Sequence, residues 1–160
     1  MTKKRFAYEK VGPEFLETAP VKVLAVVVID ATPEAVFRAM EREEAWKATL
    51  RLDVTWTSER PFGEGTTRTV RTPMGIELDE EFTAWEAGER FAFYMPSGTT
   101  KMFAAFYEDY RLEPLDGGKS RLVWKAGIKM RGAAKLIGPM VKLVLERGAG
   151  GFSKFADFTD

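Results

Sequence analysis

From Leu52 to about Met130 the chain alternates apolar and polar residues with period two, beginning with Leu52, Val54 and Trp56 set against Asp53, Thr55 and Thr57. Successive side chains of a strand point to opposite sides, so this pattern predicts strands with one face on a core and the other facing out. Pro61-Phe62-Gly63, Pro73-Met74-Gly75, Glu86-Ala87-Gly88, Pro96-Ser97-Gly98 and Asp116-Gly117-Gly118 interrupt it, and each supplies residues suited to a tight reversal. The expectation is a meander of six antiparallel strands.

Other periodicities flank the meander. Val21–Ile29 is Val-rich and strand-length, as in a strand buried on much of both faces. Thr32-Pro33-Glu34 then places a hydroxyl cap before a proline at the first helical position, and Val36, Phe37 and Met40 follow at helical spacing. A second short helix holds Ala45, Trp46 and Leu50. Ala133 to about Phe158 returns to helical spacing with a broad apolar stripe that must lie on the sheet. Gly138-Pro139 is placed to kink or restart this long C-terminal helix, and Gly148–Gly151 to bend it. Residues 1–20 carry no firm pattern and read as an N-terminal extension to a single α+β domain over 21–160.

Composition narrows the chemistry. The 24 basic and 24 acidic side chains cancel, and neither sign gathers in one half, which argues against a nucleic-acid partner. The longest apolar run, Val23–Ile29, is too short to cross a bilayer, so no stable membrane insertion is expected. Lys3-Lys4-Arg5 leads into no apolar stretch and does not read as a signal peptide. With no cysteine there are no disulfides, thiolate nucleophiles or thiolate metal sites, and a cytoplasmic location is expected. With no histidine there is no Ser-His-Asp relay and no imidazole ligand. Catalysis, if any, falls to carboxylates, Tyr, Lys, Arg, Ser or Thr.

The order strand, two helices, six-strand meander, long helix resembles that of the START-like (SRPBCC) superfamily. The stretches Val26–Phe37 (VVVIDATPEAVF), Gly65–Arg68 (GTTR) and Glu80–Trp85 (EEFTAW) resemble its polyketide cyclase/dehydrase and lipid-transport branch. Tyr110–Pro114 (YRLEP) followed by Gly117–Arg121 (GGKSR) is similar to the last hairpin of such proteins. The resemblance implies a helix-grip fold, in which a curved antiparallel seven-stranded sheet wraps around the C-terminal helix. It also implies a cavity between the two for lipids, sterols, polyketides or hormone-like aromatics, with no cofactor. It does not imply an enzyme, because one fold hosts many functions.

Strand parity predicts which side chains face that cavity. Counting outward from Met74 pairs Thr72 with Ile76, Val70 with Leu78, Arg68 with Glu80 and Thr66 with Phe82. The opposite set, Arg71, Glu77, Asp79 and Glu81, is charged, so the first set is the inner one. Carried onward, the phase aims Phe82, Ala84, Phe91, Phe93 and Met95 inward, then Met102, Ala104, Phe106, Glu108 and Tyr110, then Trp124 and Ile128. Met140 and Val144 complete the set from the helix. Taken singly, each apolar member reads first as plain core packing, since inward apolar residues are more often core than ligand contacts. Tyr94 and Tyr107 fall outward.

Arg68, Glu80 and Glu108 break the apolar pattern. Arg68 and Glu80 lie opposite each other and are expected to pair, since each alone would pay a desolvation cost of several kcal/mol in a low-dielectric hollow. The pair either orients a ligand's polar group or is a plain ion pair at a wet rim. A bulge at Glu108-Asp109 would send either carboxylate outward. Glu77, Asp79, Glu80 and Glu81 cannot converge on one metal, because neighbours in a strand point to opposite faces.

Three functions fit these readings. The chain is a binding or carrier protein for a hydrophobic small molecule, as a monomer or homodimer. Alternatively it is a polyketide cyclase or dehydratase with Glu80 as general base or acid and Arg68 stabilising a developing enolate. The resemblance implies a third alternative, a chaperone-activating interaction module as in one START-like branch, but no residue supports it specifically, and Glu41-Arg42-Glu43-Glu44 reads as an ordinary solvated helix face.

Overall fold

β-branched and aromatic side chains pack best on a pleated, half-buried surface, and the segments rich in them form the strands. The computed structural model describes residues 2–160. Its elements run β1 (Phe6–Ala7), α1 (Phe15–Thr18), β2 (Val21–Ile29), α2 (Pro33–Met40), α3 (Glu43–Leu50), β3 (Asp53–Trp56), β4 (Thr67–Arg71), β5 (Glu77–Glu86), β6 (Arg90–Gly98), β7 (Phe103–Leu115) and β8 (Lys119–Met130). A helical run follows, 3-10 over Gly132–Ile137, α-helical as α4 (Gly138–Gly148) and 3-10 again over Ala149–Phe158. The helix-grip architecture is present: an antiparallel sheet in the order β2-β8-β7-β6-β5-β4-β3 backs onto this C-terminal run, with β1 added beside β6.

The caps and breaks follow local chemistry. Thr32 Oγ1 accepts the Ala35 N–H at 3.3 Å, with Pro33 opening α2. The C-terminal run changes geometry at Gly138 and Gly148, the two positions where the sequence loosens the helix. A β-carbon on Gly151 would lie 2.6 Å from the Thr49 carbonyl oxygen, so only glycine lets the run close on α3. There Trp46 meets Phe152 and Phe155 edge-on, at ring-centre separations of 6.4 and 5.1 Å. Side chains of α4 also cap the free edge of β2. Lys142 donates to the Lys22 carbonyl, and Glu146 accepts the Leu24 N–H at 3.1 Å, which blunts an edge otherwise open to pairing with another strand.

The N-terminal residues have a place that their sequence does not announce. β6 and β7 pair only where Arg90–Tyr94 faces Tyr107–Arg111. Residues 6–9 fill the gap where the two strands part: Phe6 and Ala7 pair with Gly98 and Ser97, Tyr8 N–H donates to Pro96 O, and Glu9 N–H donates to Ala104 O. Gly98 makes room for this, because a β-carbon there would sit 2.5 Å from the Tyr8 hydroxyl. Val11, Phe15 and Leu16 then cover Ala92, Tyr94 and Tyr107 on the outer face. Tyr94 and Tyr107 do point outward, as the alternation predicts, yet they are 8% and 0% exposed.

The β4–β5 register is the one counted from Met74, with Arg68 opposite Glu80 and Val70 opposite Leu78. Further along, register slips interrupt the parity, between Asp79 and Glu81, between Phe82 and Ala84, and between Phe103 and Ala105. The second slip reverses the expectation for Ala84, which packs against the outer cluster, while Trp85 turns inward against Phe37 and Phe91. Among the described residues, no helix is long and apolar enough to cross a membrane.

Candidate functional site

A cavity of about 380 Å³ lies between the inner face of the sheet and the C-terminal run. The sheet supplies Val70, Leu78, Met95, Phe103, Phe106, Tyr110 and Trp124, and the β4–β5 hairpin supplies Thr72, Pro73 and Ile76. Trp46 and Leu50 of α3, Leu52 just beyond it, and Val141, Leu145 and Phe152 of the helical run complete the apolar wall. Arg68, Glu80 and Glu108 are its charged members. The hollow takes only part of the inner face because the rest is solid. There Phe37 of α2 packs on Trp85 and Phe91 at 5.3 and 5.8 Å, and Phe82 stacks on Trp56 at 5.7 Å.

That division sorts the residues expected inside. Arg68, Val70, Leu78, Glu80, Met95, Phe106, Glu108, Tyr110, Trp124 and Val144 line the hollow. Phe82, Phe91 and Phe93 point inward but belong to the solid aromatic part of the core. Ala104 gives way to Phe103, since the slip between Phe103 and Ala105 shifts the phase at the start of β7. Met102 precedes that strand, and Ile128 is fully buried in core packing beside Val21 and Phe106. Met140 is 55% exposed, because α4 turns Val141 and Leu145 to the sheet instead. The spacing of Val141, Leu145 and Phe152 was a usable signal, hidden by apolar neighbours on both sides of the stripe. Trp46, Leu50 and Leu52 had none beyond hydrophobicity.

The charged cluster is built by strand pairing. Arg68 Nε–H donates to Glu80 Oε2 at 2.5 Å, with the two side chains 1% and 4% exposed. The guanidinium carbon lies 4.6 Å from the Trp46 ring centre and 5.1 to 5.3 Å from those of Trp56, Phe82 and Phe93. Among the described residues Nη1 has no hydrogen-bond acceptor. The surrounding ring faces offer cation–π attraction in its place. Arg68 is thus boxed in by rings and tied to one carboxylate.

Glu108 is the second buried carboxyl. The register through Glu108 and Asp109 is unbroken, so Glu108 faces in and Asp109 faces out to Arg90 and Arg111. Glu108 Oε1 accepts the Tyr110 hydroxyl at 2.9 Å and the Trp124 indole N–H at 2.8 Å. Burial, and then the charge of Glu80, push its carboxyl from the ordinary 4.5 up to about 7. Burial also pushes Glu80 up, against the pull of the Arg68 charge and hydrogen bond. The Tyr110 phenol is driven well up, by burial and then by the Glu108 charge, and so keeps the proton it donates. The two carboxyls of the hollow differ in their partners: Arg68 opposes the upward push of burial at Glu80, whereas Glu108 has only neutral donors beside it and is pushed up to about 7. Chemically the arrangement offers apolar surface and one carboxylic acid. Among the described residues no group of three or more acidic side chains is placed to hold a metal. Glu77 and Asp79, on the outer face, meet Lys3 and Arg5 instead.

Residues 20–156 match the polyketide cyclase/dehydrase and lipid transport family. Uncharacterised proteins of Mycobacterium tuberculosis and Mycobacterium bovis are each 39% identical over 155 residues, covering 93% of this chain and 92% of theirs. A START superfamily protein from Mycobacterium smegmatis superposes with a TM-score of 0.70 at 12% identity, over 87% of this chain and 97% of that one. The Zhui aromatase/cyclase from Streptomyces sp. R1128 superposes with a TM-score of 0.68 at 13% identity, over 84% of this chain and 90% of that one. Those two likenesses are of fold. The family match and the mycobacterial relatives each span most of the chain, which belongs to the polyketide cyclase/dehydrase and lipid transport family.

Proposed function

We propose that the protein binds and carries a hydrophobic small molecule, lipid, sterol or polyketide-like, in the cavity between sheet and C-terminal run. The observation that carries this reading is the cavity itself, about 380 Å³ with an almost wholly apolar wall. Protein interiors are normally close-packed, and pockets of this size and character are where apolar ligands bind. Displacement of an apolar fluorescent dye tests it. Wild type binds the dye in one site and releases it to apolar competitors, whereas Val70→Trp combined with Leu145→Trp, which takes up much of the hollow, weakens binding strongly. Dye affinity unchanged in that double variant, with its fold intact by circular dichroism, contradicts the reading. Native mass spectrometry of protein from its own cells identifies the cargo.

One observation favours a second reading, a cyclase- or dehydratase-type enzyme. A carboxyl titrating near 7 is suited to proton transfer at neutral pH, and Glu108 has that property. Glu80, bound to Arg68, is the poorer base. Incubation with aromatic polyketide precursors separates the readings. Turnover lost in Glu108→Gln supports an enzyme, and equal background rates in wild type, Glu80→Gln and Glu108→Gln remove it.

A further inference from the structure

We infer that the cavity selects an uncharged apolar ligand presenting a hydrogen-bond-accepting oxygen, of the ketone or ester kind, to the Glu108 carboxyl. This rests on the carrier reading and names its ligand class. Glu108 is 7% exposed and lines the hollow. Its Oε1 takes both available donors, Tyr110 and Trp124. Oε2 makes no side-chain hydrogen bond among the described residues and is not a fully enclosed atom, so it is the oxygen open to the hollow and left to carry the acid proton. In the acid form this O–H points at whatever occupies the hollow, and when an apolar ligand displaces water from it a ligand oxygen supplies the acceptor that the O–H would otherwise lose.

The other charges disfavour ionised ligands. The one cation in the wall, Arg68, is already neutralised by Glu80 and enclosed by four rings. A fatty-acid carboxylate would add a negative charge beside Glu80 and Glu108, against one cation whose charge Glu80 already offsets and whose unpartnered Nη1 is enclosed by the rings. The groups that face Glu108 are Arg68 from β4, Glu80 from β5 and Tyr110 from β7, with the non-titrating Trp124 from β8. The helical run contributes no titratable group to the wall, only Val141, Val144, Leu145, Gly148, Ala149 and Phe152. Acceptor binding needs the acid form of Glu108, so affinity for a ketone falls as pH rises through about 7.

Competition against the apolar dye tests this, using a methyl ketone, an alkane, a fatty acid and an alkyl amine of matched chain length. At pH 6 the ketone is expected to bind about tenfold more tightly than the alkane, the effect of one well-made hydrogen bond. The fatty acid binds more weakly than either. The ketone's advantage disappears by about pH 8 as Glu108 ionises. Glu108→Gln, which keeps an N–H donor, retains ketone binding without the pH dependence. Tyr110→Phe removes a donor to the ionised form and moves the midpoint to higher pH. A fatty acid that binds as tightly as the ketone overturns the inference, as does ketone binding independent of pH in wild type. An amine whose affinity exceeds the ketone's and grows with pH also overturns it. In all three cases dye displacement by the alkane leaves the carrier reading standing, whereas a dye that never enters the cavity overturns both.

Discussion

At the scale of single residues, Glu108 and Glu80 differ through what stands beside them. Glu80 has a guanidinium; Glu108 has a phenol and an indole. Raising the Glu108 carboxyl from 4.5 to about 7 means that the folded state binds a proton the unfolded state has released. Stability from this group is therefore complete below about pH 4.5 and is lost as pH rises to about 7, on the order of 3 kcal/mol in all. Thermal melts across pH check this: Glu108→Gln gains stability relative to wild type above pH 7, compared with the same pair near pH 4.5. Removing Arg68 has a different effect, since it strands the Glu80 charge in the ring box. Arg68→Ala is expected to cost about 3–5 kcal/mol in urea denaturation, and Glu80→Leu in that background recovers part of it.

At the scale of elements, close approaches set the sensitivities. Gly151→Ala drives a methyl onto the Thr49 carbonyl and is expected to destabilise by about 1–3 kcal/mol, measured by denaturant unfolding. Deleting residues 2–18 uncovers Ala92, Tyr94 and Tyr107 and opens the gap between β6 and β7. Hydrogen exchange is then expected to quicken in Ala104 to Tyr107 while β8 stays protected. The same elements show what a sequence can disclose. Alternation is local, so the Arg68–Glu80 pairing followed from counting outward from one turn. The slips at Phe82/Ala84 and Phe103/Ala105 depend on how neighbouring strands pack, and they moved Ala84, Trp85 and Phe103 off the counted phase. Phe6–Tyr8 became part of the sheet because two distant strands part there, which residues 1–20 do not record.

At the scale of the whole molecule, the sheet, α2 and the C-terminal run divide one interior into a solid aromatic end and a hollow end. The hydrophobic pattern placed both ends inside without distinguishing them, because Phe82, Phe91 and Phe93 share the parity of Val70 and Leu78 but meet Phe37, Trp56 and Trp85. Emptiness depends on what the facing layer provides. The most direct measurement follows the Trp124 indole N–H by NMR during titration with a medium-chain methyl ketone, in wild type and in Val70→Phe. Ligand in the cavity shifts that resonance in wild type, saturably, and the titration midpoint moves to higher ketone concentration in Val70→Phe, which narrows the hollow. An unmoved Trp124 resonance in wild type, with shifts confined to exposed side chains such as Met140 and Leu143, would contradict an internal binding site.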